Sequence, residues 1–546
     1  MSPYLFLLCA ESLSALLRKA EANNSLKGIK SSQQGVCISH LLFADDSLLF
    51  CRATVNECQR LTTFLGKYEA ASGQSINRQK TTLFFSRNTK PEVRNAIQQL
   101  LGARVMTECE KYLGLPMSGG KSKVNTFKEL QEKIMKRVMG WKEKFISKAG
   151  REILIKTVAQ AIPTYSMCLF KLPRTICDNI NSLLAKYWWG QHQGEKRIHW
   201  INWRKLCTHK KKGGMGFRDL HAFNLAMLAK QAWRLIHNTQ SLFYRVYKAR
   251  YFPNGSFLQA ELGGNPSLVW RSLLAARDIL KEGARWKVGD GRTIDVATHN
   301  WLPRKPVFLH DPPSELRVCD LIKEDSRQWD RDKLYTLFTR STCEDILAIT
   351  LTQQNTQDSL VWKENKAQKF SVRSAYQVAL RLLYPEMAEH SSAQTQGATW
   401  RRIWKLKVPP KVRMFIWRAC TNSLPTRANL NRRRVSVEAH CEFCYQHPET
   451  VAHVLWECPF ARNVWGLCEG RIQKCSNTAS DFFLLFKHML TILSPTELER
   501  WATIAWNIWN ARNRFYFEHI QLHPQTIMDG ARAGWDEYKK IMDTQV

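Results

Sequence analysis

The apolar positions of this chain change period several times, and each change marks an element. Leu5, Leu8, Leu13, Leu16 and Leu17 recur at near-helical spacing over residues 1–20, which predicts a helix. Ser39–Phe50 breaks that rhythm: the short apolar runs Leu41–Ala44 and Leu48–Phe50 flank a polar tip of Asp45, Asp46 and Ser47. Such runs with turn residues between them predict a β-hairpin, and consecutive apolar positions predict strands covered on both faces. A helix follows, with Thr54 and Glu57 in capping-box positions. Val55, Cys58, Leu61, Leu65 and Tyr68 form its apolar face, and Gly73 is its stop. Thr81–Phe85 reads as a strand. Pro91 opens another helix, striped by Val93, Ala96, Ile97, Leu100 and Leu101 and ended by Gly102. Helix, hairpin, helix and strand in that order predict an α+β fold with helices on one face of a sheet.

Beyond Gly102 the pattern is largely helical. Between Lys121 and Lys156, eleven Lys or Arg stand against four Glu (Glu129, Glu132, Glu143 and Glu152), and Phe127, Leu130, Ile134 and Val138 form the buried side. That surface is either a solvated polar face or one turned to phosphates. Residues 187–235 are rich in tryptophan (Trp188, Trp189, Trp200, Trp203 and Trp233). They enclose His209–Gly216, H-K-K-K-G-G-M-G, which lacks the spacing of a P-loop and reads as a surface loop or a basic turn against a phosphate. Pro303–Pro313 and Glu389–Thr399 are candidate linkers. Residues 400–434 hold eleven basic residues and no Asp or Glu, with Trp400, Trp404, Phe415 and Trp417 among them. Basic groups interleaved with aromatic platforms suit nucleic acid. Arg401, Arg402, Lys405, Lys407, Lys411 and Arg413 are the candidate contacts.

Composition sharpens that reading. The chain has 546 residues, 44% of them hydrophobic and 23% charged, which excludes wholesale disorder and predicts several domains. Lys and Arg total 81 against 47 Asp and Glu, a net charge of +34, so the favoured partner is a polyanion, nucleic acid before membrane. No apolar run is long enough to span a bilayer. Leu5–Ala10 resembles a signal-peptide core, but no basic residue precedes it and Glu11 interrupts it. It is read as a core helix of a domain whose beginning is missing. Sixteen cysteines, mostly scattered singly, fit a reducing compartment.

Two groups carry candidate chemistry. Asp45 and Asp46 are adjacent carboxylates that raise each other's pKa unless a cation neutralises them, so they read as a metal-bearing pair or as a plain turn. Cys441, Cys444, His453 and Cys458 form C-x2-C-x8-H-x4-C, a donor set suited to a closed, structural zinc site. A helix over Pro448–Trp456 would present His453. An unbroken helix could not aim positions five apart at one ion, and Pro459 biases Cys458 out of helical geometry. His440 and His447 remain alternative imidazoles.

Taken together, several motifs resemble the reverse transcriptase of plant LINE-type non-LTR retrotransposons over nearly the whole chain. They are Ser2-Pro3-Tyr4-Leu5-Phe6, Phe43-Ala44-Asp45-Asp46, Ala71-Ser72-Gly73-Gln74-Ser75-Ile76-Asn77 with Lys80, and Lys111-Tyr112-Leu113-Gly114-Leu115-Pro116. Gly190, Gly213-Gly214-Met215-Gly216-Phe217 and the Cys/His cluster continue the likeness. The resemblance implies an incomplete palm over residues 1–118, a thumb-like helical region over 119–240 and a connection of unclear fold over 241–398. A zinc-binding domain over 399–470 and a helical segment over 471–546 before a missing ribonuclease H domain would follow. It implies that Asp45 and Asp46 hold Mg2+, that Lys80 assists nucleotide chemistry, and that Tyr112, Leu113 and Gly114 grip a DNA primer on an RNA template. The family's third metal-binding aspartate would lie upstream of Met1, so the expectation is an RNA-directed DNA polymerase fragment inactive by itself. Nuclear residence is implied with it. A non-catalytic zinc-stabilised RNA- or DNA-binding protein is the competing reading, and an unstable reading frame with exposed apolar sheet surface is the third.

Overall fold

In the computed structural model the residues described are 2–106, 111–116, 123–141, 146–191, 197–311, 315–323, 325–351, 356–387, 392–475 and 481–544. Lys121, Glu143, Pro313 and Glu389, all named above, lie outside them. The chain builds two units from interleaved stretches. One is Met1–Thr126 with Ser166–Lys171 and Leu225–Val378; the other is Phe127–Tyr165 with Leu172–Asn224 and Ala379–Val546. Helices predominate, and among the described residues every sheet has only two strands, so the fold is α+β with small sheets.

In the first unit the opening pattern folds as the helix Ser2–Ala22. Leu13, Leu17 and Ala20 join Leu26 and Leu61 in a core, with Leu49, Phe64, Leu65 and Tyr68 against it. Leu5 and Leu8 are exposed instead. The capped helix is Val55–Ser72, ending at Gly73. Its box is only half closed: Thr54 Oγ1 accepts the Glu57 N–H at 3.3 Å, while the Glu57 carboxylate accepts from the N–H groups of Arg52 (3.0 Å) and Lys27 (3.3 Å). The hairpin pairs His40–Phe43 with Asp46–Leu49 around a two-residue turn, in the register Leu41↔Leu48 and Phe43↔Asp46. Its strands are not covered on both faces. His40 Nε2 meets Ser14 Oγ of the first helix at 2.9 Å, whereas Leu41 and Phe43 are exposed. The reason is that no third strand or second helical layer covers the outer face among the described residues.

The predicted strand at Thr81–Phe85 is shorter, Thr82–Leu83, and pairs in parallel with Arg104–Val105 across the helix Pro91–Leu101, whose Ile97 is buried. Lys111–Tyr112 and Leu115–Pro116 form a second tight hairpin. Its turn residues Leu113 and Gly114 have φ of 49° and 75°, the pair of positive values a type I′ turn requires.

Residues whose fold the sequence left unclear have a core of their own. Ala284–Lys287 pairs antiparallel with Ser359–Trp362. Ile294, Val296, Trp301, Val318, Leu321, Leu334, Phe338 and Ile346 are buried together. Asp358 fastens one end of this pair. Its carboxylate accepts from the N–H groups of Gly289 (2.7 Å), Gly291 (2.9 Å) and Thr293 (2.9 Å) and from the Thr293 hydroxyl (2.8 Å).

In the second unit, His209–Gly216 is a packing element rather than a surface loop. Trp417 Nε1 donates to the Gly213 carbonyl at 2.9 Å, and Lys156 Nζ donates to the Met215 carbonyl at 2.8 Å while pairing with Glu152 at 2.6 Å. Met215 is fully buried. A Cβ on Gly214 would run into the backbone oxygen of Thr208, so the turn closes only with glycine there. Phe127, Ile134 and Val138 are buried as their helical spacing predicts.

Burial pushes the Asp358 carboxyl up, but the surrounding N–H and hydroxyl donors outweigh it and hold the group below its ordinary value. A depressed folded-state pKa contributes stability above the unfolded value of about 3.9 that is lost as pH falls through the folded value. Asp358→Ala is expected to cost about 2–4 kcal/mol at pH 7, since three backbone donors lose a charged acceptor. The difference between the two proteins in chemical denaturation should shrink below about pH 4. An unchanged midpoint at pH 7 would contradict this.

Candidate metal centre

Cys441, Cys444, His453 and Cys458 come together: one ligand atom from each lies within 4.8 Å of the other three. Cys441 and Cys458 are fully buried, His453 nearly so, and Cys444 partly. The Sγ atoms of Cys441 and Cys458 are 3.8 Å apart, and Cys444 Sγ is 3.3 Å from His453 Nε2. Two sulfurs about 2.3 Å from one tetrahedral ion would be separated by about 3.8 Å, and a sulfur and an imidazole nitrogen by about 3.6 Å. The donor set and its spacing therefore fit Zn2+.

Local backbone explains how four spaced residues meet. The Cys441 N–H donates to the His447 carbonyl at 2.9 Å and the Tyr445 N–H to the Cys441 carbonyl at 2.8 Å, curling 441–447 into a knuckle. His440 pairs with Pro448 at its base. From Thr450 the chain enters a helix, but His453–Glu457 is a π-turn, and the Cys458 N–H reaches back five residues to the His453 carbonyl at 2.8 Å. An α-helix would set positions five apart about 140° around its axis. The i→i+5 bond of a π-turn widens the coil and brings them to nearly the same side. Cys458 then turns extended (ψ 135°) ahead of Pro459, as the sequence predicts. The gathered imidazole is that of His453; His440 and His447 are exposed.

Without a metal the donors share protons. The hydrogen bond to Cys458, with burial, pushes the Cys441 thiol up to about 12, and the same bond pulls Cys458 down. Burial lowers the His453 imidazole, but the facing Cys441 and Cys444 outweigh it and raise it. A dication would take the place of those protons.

Around the cluster stand residues that the sequence reading missed. Phe443, inside the knuckle, stacks on Phe460 (centroids 4.2 Å apart) and on Phe515 (4.5 Å). Glu449, between the ligands, is buried and receives Arg512 Nη2 at 2.7 Å and Nε at 3.3 Å, as well as the Arg427 N–H at 3.0 Å. Arg427 in turn pairs with Glu442 at 2.7 Å. A signal was present: Arg512 interrupts the apolar stripe Trp501, Ala505 and Ile508, and a cation on a buried helical face requires a partner.

The other predicted site residues lie elsewhere. Asp45 and Asp46 are exposed at the tip of the first hairpin. Lys80 is exposed in a turn whose N–H is held by Asn77 Oδ1 at 3.1 Å. Tyr112 and Leu113 are half-buried, and Gly114 is exposed. Among the described residues the Cys/His cluster is the group of three or more ligating side chains placed for one ion, and neither aspartate has a third ligand beside it. Arg401, Arg402, Lys405, Lys407 and Lys411 are exposed and Arg413 is half-buried. Of the aromatic platforms predicted beside them, Trp400, Phe415 and Trp417 are buried, with Trp400 stacked on Phe483 at 4.7 Å, while Trp404 is half-buried and carries Lys210 over its ring at 4.2 Å. The three buried rings serve packing.

Comparison with known proteins agrees with this centre. A family model described as zinc-binding in reverse transcriptase matches residues 370–465, which include all four candidate ligands. The chain is 31% identical over 359 residues to an Arabidopsis thaliana protein named "Putative ribonuclease H protein", covering 62% of this chain and 55% of that one. It is 39% identical over 145 residues to an "Uncharacterized mitochondrial protein" of the same plant, covering 26% of this chain and 92% of that one. A second protein so named is 53% identical over 47 residues, covering 9% and 38% respectively. The chain thus spans about half the length of the first of these relatives. Among the described residues no helix is long and apolar enough to cross a membrane.

Metal analysis of the purified protein is expected to find about one zinc per chain, released on acidification as thiolates and imidazole take up protons. The Cys441→Ser/Cys444→Ser double variant should lose it. Full occupancy in that variant would contradict the assignment.

Proposed function

The chain belongs to the reverse-transcriptase-related proteins that carry this zinc-binding domain, and on that premise we propose that it binds nucleic acid without polymerising it. The proposal is that zinc on Cys441, Cys444, His453 and Cys458 stabilises the second unit structurally, four protein ligands leaving no open position for catalysis. Arg401, Arg402, Lys405, Lys407 and Lys411, exposed on and just beyond the helix Ser392–Lys405, would contact the phosphate backbone of RNA or DNA. The observation that carries this reading is the buried Cys/His cluster inside the matched region, in a chain of net charge +34.

Polymerase chemistry belongs to the ancestry in this reading. Asp45, Asp46 and Lys80 would be the palm residues of an RNA-directed DNA polymerase, and Tyr112, Leu113 and Gly114 its primer grip. Two-metal phosphoryl transfer needs carboxylates that clamp Mg2+ ions about 3.5–4 Å apart. Two exposed aspartates with no third ligand beside them, among the described residues, do not meet that need. Mg2+ would bind productively only if further residues completed the site. Nuclear residence goes with a chromosomal substrate and is part of the same proposal.

Primer extension on an RNA template with Mg2+ is expected to give no incorporation, while RNA and DNA bind with a steep salt dependence that Asp45→Ala leaves unchanged. Replacing Arg401, Arg402 and Lys405 by glutamate should weaken binding and lower the log–log salt slope by about 1 for each phosphate no longer neutralised. Synthesis abolished by Asp45→Ala would overturn the non-catalytic reading. Salt-independent binding would overturn the phosphate-contact reading.

A further inference from the structure

The metal centre is bounded on one side by a helix that lies wholly beyond the matched region. The family match ends at 465, whereas the helix Pro495–Glu518 begins 30 residues later. Arg512, Phe515 and Tyr516 are three and four residues apart and so share one face of that helix. Each meets a different part of the metal-bearing loops. Arg512 holds Glu449 through two donors, Phe515 stacks on Phe443, and Tyr516 lies under the Arg427 guanidinium at 5.5 Å, which itself pairs with Glu442.

Those partners occupy the positions that decide ligand geometry. Phe443 and Glu442 lie between Cys441 and Cys444, so the two contacts fix the knuckle. Phe443 also stacks on Phe460, two residues after Cys458, which ties the first ligands to the last. Glu449 starts the turn that delivers His453: its N–H donates to the Ala439 carbonyl at 2.7 Å, and Thr450 Oγ1 accepts the His453 N–H at 3.1 Å. Arg512 is 4% and Glu449 2% exposed, so each satisfies a charge the other would otherwise leave buried and unpaired. The Arg512 guanidinium is further enclosed by the rings of Trp509 (5.2 Å) and Tyr516 (4.7 Å).

We infer that the helix Pro495–Glu518 is the outer shell of the metal centre, with Arg512 and Phe515 acting as positioning residues that set zinc affinity from outside the recognised domain. The inference rests on the zinc assignment above and deepens it. A group that orients ligands without touching the ion changes metal affinity by about 10–100-fold. A group that merely packs lowers the stability of the metal-free and zinc-loaded forms alike and, where the metal-free form stays folded, leaves affinity alone.

The test is zinc affinity by competition with a chromophoric chelator, run on the full chain with thermal melts of the metal-free and zinc-loaded forms. Two variants avoid an orphaned buried charge: Phe515→Leu, and the double change Glu449→Gln/Arg512→Met. Wild type should bind about one zinc. Each variant should weaken its affinity by about 10-fold or more, with a Co2+ substitution spectrum broadened from the tetrahedral form. Unchanged affinity and spectrum with equally lowered melts would reduce the helix to packing and overturn the inference while leaving the zinc site intact. Failure of the wild-type protein to bind zinc would instead overturn the site assignment, and the inference with it.

Discussion

Four soft donors separated by three, nine and five residues can face one point only if the backbone leaves α-helical geometry between His453 and Cys458. The π-turn His453–Glu457 and the extended Cys458 meet that constraint. Beside it Glu449 and Arg512 are buried with each other as partners, and elsewhere in the second unit the buried Trp417 donates to the Gly213 carbonyl. Three cysteine sulfurs packed this closely would repel one another if all were thiolates. The arrangement is therefore stable with shared protons or with a dication, and the dication satisfies all four donors at once.

The acidic tip near the start of the chain presents the opposite situation. Asp45 and Asp46 lie on a two-stranded hairpin with one face against the helix Ser2–Ala22 and the other toward solvent. Isolated hairpins are marginal in water, so this region draws its order from the helix rather than from its own ladder. A carboxylate pair there is hydrated. It lacks the enclosure that makes such a pair a strong metal site. Chemistry and burial thus separate in this protein: the buried donors suit a structural ion, and the adjacent carboxylates Asp45 and Asp46 stand exposed.

Much of the local structure was legible from sequence. Thr54, Gly73, Pro91 and Gly102 marked helix ends because capping and left-handed stops are decided by one or two residues. The Cys/His set was legible because ligand types and spacing are chemical. Three features were not. The hairpin's open face depends on which strands are neighbours, which a local apolar run does not record. The π-turn carries no residue signature, and only the five-residue offset hinted at it. Trp400, Phe415 and Trp417 among basic residues looked like stacking platforms, and the turn at Gly213, some 200 residues away in sequence, accounts for part of their burial. Arg512 could have been found, since a lone cation in an apolar stripe predicts a buried acid, but not which acid.

The central claim is that the second unit is organised by one tetrahedral zinc with three sulfurs and one nitrogen. X-ray absorption at the zinc edge of the isolated protein tests it most directly. The account predicts three sulfurs at about 2.3 Å and one imidazole nitrogen at about 2.0–2.1 Å. A shell dominated by oxygen, or a coordination number of five or six, would contradict it.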